Sequence, residues 1–252
     1  MSSDHSLLID ARHVSRELGG VSAVENLSLT AHAGQVIGLL GPNGAGKTTT
    51  LRILAGLMAP SRGHVKICGY SIPDEHEKAR NQVGFLTSGM KLYENFSPRE
   101  SFRFFGKLRG MKGPALESRI DELVAQFQLS EFCDRHFSKL SAGEKQRCTI
   151  ANTVLHSPSV LILDEITLSL DVIASAFILD FVRDFVRQGS RCVLFSTHVM
   201  SEAEYLCNEI ALIHKGRVIA QAPSETLKAR YGAQNLTEAF LNAIRGPAEA
   251  KR

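Results

Sequence analysis

The run Gly41-Pro42-Asn43-Gly44-Ala45-Gly46-Lys47-Thr48 has the spacing G-x-x-x-x-G-K-[ST]. Glycines so placed let backbone N–H groups converge on one anion, and the helix start that follows adds the positive end of its dipole. Lys47 is then expected to reach the β- and γ-phosphates of a nucleotide, and the Thr48 hydroxyl to hold Mg²⁺. Gly41, Asn43, Gly44, Gly46, Lys47, Thr48 and Thr49 are the candidate nucleotide contacts. The bland alternative is a glycine-rich strand-to-helix turn that binds nothing.

A second constellation lies at Val160-Leu161-Ile162-Leu163-Asp164-Glu165, four apolar residues ending in two carboxylates. A buried parallel strand delivers charge in this way to its carboxyl end. Asp164 is the candidate Mg²⁺ residue, acting through water. Glu165 is placed to orient or deprotonate an attacking water, since phosphoryl transfer needs chiefly positioning and charge neutralisation. Read alone, the pair is equally an acidic helix start after a strand. His198 follows the apolar run from Cys192 to Phe195 and could donate to a γ-phosphate; by itself it is an ordinary loop histidine. Leu140-Ser141-Ala142-Gly143-Glu144 sets a Ser N-cap at the mouth of a helix, where anions bind. The same residues form S-x-x-E, a capping box that needs no ligand.

These residues need strands and helices to hold them. Strand patterns occur over 7–10, 25–30 and 35–40, followed by the glycine loop and a helical pattern over 47–57. Shorter strands are expected over 64–68 and 83–87. Ser97-Pro98-Arg99-Glu100 reads as a capping box with Pro at the first helical position, and Phe102, Phe105 and Leu108 follow at helical spacing. Ile120, Leu123, Val124 and Phe127 repeat that spacing, and a helix from 141 to about 155 closes the helical stretch. Strand patterns return over 160–163, 192–196, 210–213 and 217–220, with helical patterns over 171–187 and 200–207 between them. The expected fold class is therefore α/β with a helical insertion. The division is 1–94 with 157–222 as a nucleotide-binding core, 95–156 as a helical subdomain, and 223–252 as a helical tail with a polar end.

The composition admits such a fold and excludes several others. In 252 residues, 44% apolar and 22% charged is globular usage, enough for a sizeable core. The net charge is only +3 and is spread along the chain, so neither a nucleic-acid footprint nor a polybasic membrane patch is indicated. The longest apolar runs fall far short of the about 18 residues of a spanning helix. The start Met1-Ser2-Ser3-Asp4-His5 has no basic n-region and no apolar h-region, so no signal peptide is expected. Five cysteines without a C-x-x-C pair suit a reducing compartment rather than a disulfide framework or a zinc site.

With the glycine loop, the turn at Ser141, the acidic strand end and His198 in this order, the chain resembles the ATP-binding subunit of an ABC transporter over nearly its whole length. The resemblance implies a P-loop (RecA-like) core with an antiparallel β subdomain and an inserted helical subdomain. It implies ATP and Mg²⁺ as ligands and ATP hydrolysis as the activity. It further implies that Ser141 and Gly143 contact the γ-phosphate of an ATP held by a second ATP-binding subunit, identical or related, and that Asp171 couples the two sites. A separate transmembrane permease is the other implied partner, contacted near 88–96, which puts the chain on the cytoplasmic face of the cell membrane. Phe85-Leu86-Thr87-Ser88-Gly89, Leu92-Tyr93 and Asn235-Leu236-Thr237-Glu238-Ala239-Phe240-Leu241 look most like the sodium-export (NatA-like) and drug-export subgroup.

Several positions depart from the family pattern. Leu18 stands where an aromatic usually stacks on adenine, and Ser88 where a glutamine is usual. Ala142 and Glu144 replace Gly and Gln in the signature turn, and Ile166 and Ser169 replace Pro and Gly after the carboxylate pair. Soluble ABC-type ATPases and non-hydrolysing regulators are the alternative readings.

Overall fold

The computed structural model describes residues 6–87, 90, 92–168, 170–187 and 189–245. Ser88, Gly89 and Ser169, singled out above, lie outside the described residues, as do 1–5 and the polar end over 246–252.

Two sheets carry the chain. β1 (Leu7–Leu18), β2 (Val21–His32), β4 (Arg62–Ile67) and β5 (Tyr70–Ile72) form an antiparallel sheet in the order β2-β1-β4-β5. The second sheet has the order β10-β9-β3-β8-β7-β6, from β3 (Val36–Leu40), β6 (Val83–Thr87), β7 (Val160–Asp164), β8 (Cys192–Thr197), β9 (Glu209–His214) and β10 (Arg217–Ala222). Its strands are parallel except for the β9–β10 hairpin. β3, β7 and β8 are buried along their whole length, which is why they read as unbroken apolar runs rather than alternating ones.

The period of two still shows in what each side chain touches. Leu161 and Leu163 of β7, with Val193 and Phe195 of β8, pack on Phe102, Ile120, Leu123 and Phe127 of the helical stretch. Their neighbours Val160, Ile162, Cys192 and Leu194 join Ile9, Leu27, Leu29 and Val65 of the antiparallel sheet. A third cluster sets Leu227, Leu236 and Phe240 of the last two helices, α8 (Ser224–Arg230) and α9 (Leu236–Arg245), on Leu40, Ile210 and Leu212.

The first helix, α1 (Lys47–Leu54), is shorter than the 47–57 pattern. Gly56 takes φ +68°, and the N–H groups of Gly56 and Leu57 donate to the carbonyls of Ile53 and Arg52, a left-handed C-terminal stop. α2 (His76–Asn81) follows β5; neither element was expected from the sequence. The helical stretch holds α3 (Pro98–Leu108), α4 (Gly113–Gln126), a 3₁₀ turn over Phe137–Lys139 and α5 (Ala142–Thr153). Ser97 caps α3 through a complete box with Glu100, as its sequence predicts. α6 (Val172–Arg187) leads to β8, and α7 (Met200–Leu206) follows it.

Candidate nucleotide site

The glycine loop joins buried β3 to α1, and its glycines are there because backbone presses on backbone. A Cβ on Gly46, at φ +99°, would meet the Ala23 carbonyl oxygen at 2.4 Å, and one on Gly41 would meet the Ile213 carbonyl oxygen at 2.3 Å. The loop is thus clamped between β2 and β9, with the unpaired first N–H groups of α1 at its end. It lines a cleft of about 330 Å³ through Asn43, Gly44, Gly46, Lys47, Thr48 and Thr49. Ala23, Asp164 and Glu165 complete the wall.

Lys47 is buried, and its ammonium donates to the carbonyls of Gly41 (2.8 Å) and Pro42 (3.2 Å). It also lies 3.3 Å from Glu165 Oε1. Asp164, 3% exposed, accepts three hydroxyls: Thr48 at 2.8 Å and Thr87 at 3.2 Å on Oδ2, and Ser196 at 2.6 Å on Oδ1. The parallel register places them, since Thr87 on β6 and Ser196 on β8 flank Asp164 on β7. A buried carboxylate is costly unless its oxygens are hydrogen-bonded, and three hydroxyls supply those bonds here. The set is all hard oxygen, which is the chemistry Mg²⁺ prefers.

Glu165 leaves the strand at φ +51°, a left-handed backbone uncommon for a residue with a side chain. Its N–H is held by both the carbonyl and the hydroxyl of Ser196, at 3.1 Å each. His198 Nδ1 lies 3.6 Å from Glu165 Oε1, too long for a hydrogen bond. His198 does not line the phosphate cleft; it borders an adjoining cavity of about 170 Å³ with Glu165, Thr167 and Glu202.

The signature turn is elsewhere. Ser141 and Gly143 are outside the lining of this cleft, and Ser141 is exposed at the start of α5. Ser141 Oγ accepts the Glu144 N–H at 3.3 Å, and Glu144 Oε2 accepts the Ser141 N–H at 2.7 Å. That backbone bond, with Arg135 also near, holds the Glu144 carboxyl below its ordinary pKa. Asp171 is exposed and caps α6, accepting the Ala174 N–H at 2.8 Å. Leu18, 40% exposed, ends β1 and is not part of the cleft wall. The sequence reading missed Ala23, Thr87 and Ser196, and Ile166, a departure from the family pattern, is 1% exposed with its carbonyl accepting Gln146 Nε2 at 2.9 Å.

A phosphate loop between a buried parallel strand and a helix, facing a strand-end aspartate bonded to the loop's hydroxyl, defines a P-loop nucleotide-binding protein. A sequence model described as ABC transporter matches residues 24–168. The ABC transporter ATP-binding protein NatA of Bacillus subtilis is 32% identical over 225 residues, covering 89% of this chain and 91% of that protein. The Nod factor export ATP-binding protein I of Burkholderia lata is 38% identical over 225 residues, 89% of this chain and 74% of that protein. A solved ATP binding subunit of an ABC transporter superposes with a TM-score of 0.85 at 28% identity, covering 94% of this chain and 99% of that one. A dimeric ATP-binding cassette in a post-hydrolysis state with ADP and Pi shares the fold, with a TM-score of 0.75 at 24% identity over 86% of this chain and 98% of that one. The chain belongs to the ABC transporter family, as an ATP-binding subunit and an ATPase.

Proposed function

We propose that this chain powers export through a separate membrane permease, working as one of two facing ATP-binding subunits at the cytoplasmic face of the membrane. The likeness to NatA and to the Nod factor export protein supports export; a sodium ion, a drug or a similar small molecule is the substrate class. No helix among the described residues is long and apolar enough to cross a membrane, which suits a peripheral subunit.

The observation that carries the paired arrangement is the separation of the two phosphate-facing turns. The glycine loop and the carboxylates share one cleft, while Ser141 and Gly143 lie outside it. In the proposed pair, two chains related by a two-fold axis each offer the exposed Ser141 turn to the other's cleft. Asn43, Gly44, Gly46, Lys47, Thr48 and Thr49 hold the phosphates, and Asp171 sits between the two sites. Thr48 and Asp164 hold Mg²⁺, which neutralises phosphate charge when bound. Glu165 orients and deprotonates water, and His198 donates to the terminal phosphate. The core of 1–94 and 157–222, the helical part of 95–156 and the tail of 223–252 are the proposed units. The permease docks between the first two, in a groove of about 340 Å³ lined by Phe85, Met90, Tyr93 and Phe105.

The test is Glu165→Gln. Removing the base while leaving the phosphate contacts should lower turnover at least a hundredfold, keep nucleotide affinity, and let an ATP-dependent dimer accumulate in size-exclusion chromatography. Turnover near that of the parent overturns the role of Glu165. Mild extraction of membranes with this chain tagged should bring down an integral membrane protein; its absence counts against the permease.

A further inference from the structure

The carboxylate of Glu202 does not serve its own helix. It occupies the third position of α7, where an acid ordinarily pairs with a Ser or Thr cap, but the cap is Val199 and makes no side-chain bond. Glu202 Oε2 instead accepts two hydroxyls from different segments, Thr197 at 2.7 Å and Thr167 at 3.0 Å. Thr197 immediately precedes His198, and its Oγ1 also accepts the Val199 N–H at 3.0 Å, so the residues on both sides of the histidine are tied to this one side chain. Thr167 lies two residues past Glu165, and the residue between them gives its carbonyl to Gln146 of α5. Both threonines are buried, at 2% and 9% exposed, so these bonds are poorly replaced by water.

We propose that Glu202 is a positioning residue for hydrolysis, fixing the histidine loop against the segment after Glu165 so that Glu165 and His198 present a constant geometry to the terminal phosphate. The proposal rests on the roles assigned above to Glu165 and His198. Glu202 is not among the residues that line the phosphate cleft. It acts through the backbone that carries both groups, whose side chains are 3.6 Å apart in the cavity the three residues share. Misplacement of such groups by about 1 Å costs on the order of a hundredfold in rate, without any contact to substrate being lost.

The experiment compares kcat, KM for MgATP, nucleotide affinity and melting temperature for Glu202→Ala, Glu202→Gln and Thr167→Val, with Glu165→Gln alongside. Glu202→Ala should lower kcat about ten- to a hundredfold while KM and affinity stay within about threefold, because the phosphate loop is untouched. Glu202→Gln should restore most of the rate, since an amide oxygen accepts the same two hydroxyls without the charge. Thr167→Val, nearly the same shape, should fall between them. Combined with Glu202→Ala it should cost little more than Glu202→Ala alone, the mark of one shared path. A parent-like kcat in Glu202→Ala, a Gln variant as slow as Ala, or independent losses in the double variant overturns the proposal. If Glu202→Ala does not fold, Thr167→Val decides, and its normal kcat is then the overturning result. Turnover surviving in Glu165→Gln marks failure of the underlying base assignment, which takes this proposal with it; a dead Glu165→Gln beside a normal Glu202→Ala marks failure of this proposal alone.

Discussion

Three hydroxyls converge on Asp164, and only that of Thr48 belongs to a motif readable in the sequence. Thr87 and Ser196 reach the same carboxylate because β6, β7 and β8 lie parallel in one register, a relation between residues 77 and 32 positions away that one sequence does not carry. Lys47, Thr48, Asp164 and Glu165 were legible since spacing and an apolar strand announce them. The left-handed backbone of Glu165 was not, because glutamate gives no signal for it. Leu18 illustrates the opposite case, a legible departure with a measurable consequence. It stands at the end of β1 where the family resemblance calls for an aromatic, and base stacking on an aromatic contributes about 1–3 kcal/mol, of which an aliphatic side chain recovers a part. Leu18→Tyr should tighten ATP binding several-fold, and the unaltered chain should hydrolyse GTP within about tenfold of its ATP rate. Titration with a fluorescent adenine nucleotide checks the first; unchanged affinity means that Leu18 does not face the base.

At the scale of elements, local signals worked where a cap or an apolar run marks an end. β6 runs over the expected 83–87, and both Ser–Glu boxes, at Ser97 and Ser141, close with each bond in place. The misses were β5 and α2, each too short to show a period, the end of α1 at Leu54, and the lengths of β1 and β2. Those long strands carry register shifts, and His13 and Asn26 sit at positive φ, so alternation of apolar and polar residues fails well before hydrogen bonding does. The α5 box bears on function because the same Ser141 hydroxyl serves the cap and, in the proposed pair, the partner's phosphate. Aspartate caps a helix about as well as serine, whereas its charge repels a phosphate. Here Glu144 already holds the Ser141 N–H, and Arg135 at 3.2 Å offsets part of the added repulsion between carboxylates. Ser141→Asp is therefore expected to melt within a few degrees of the parent, bind nucleotide in its own cleft, and lose ATP-driven dimerisation and turnover. Ser141→Asn, a cap without charge, controls for the helix. Full turnover in Ser141→Asp at intact stability would leave Ser141 as a cap only.

For the whole molecule, the junction where the helical stretch meets the sheet carries a titratable group, His156. β6 is the edge strand of the parallel sheet, and beside it His156 lines one groove with Gly84 and Phe85 of β6 and Phe105 and Arg109 in and after α3. Burial, and secondarily the positive charge of Arg109, lower the His156 pKa from 6.5 to about 4, and its Nε2 stays within 3.1 Å of the Val83 carbonyl. The folded chain thus keeps this imidazole neutral over a range in which the unfolded chain protonates it. With more protons on the unfolded side, stability is fully present above pH 6.5, falls as the pH drops through that window, and levels off below about 4. At pH 4.5 the loss from this group is roughly 2–3 kcal/mol. Other carboxylates held low by caps, such as Glu100 and Glu144, add their own losses at lower pH, so the test must be a difference. In denaturant unfolding at pH 7 and pH 4.5, His156→Gln, whose amide can still donate to Val83, should lose less stability on acidification than the parent by about that amount. Equal losses in the two proteins would mean that His156 is hydrated at the junction and titrates alike in both states. A smaller loss in His156→Gln would identify the junction of helices and sheet, in the wall of the proposed permease groove, as a place where acid loosens the molecule.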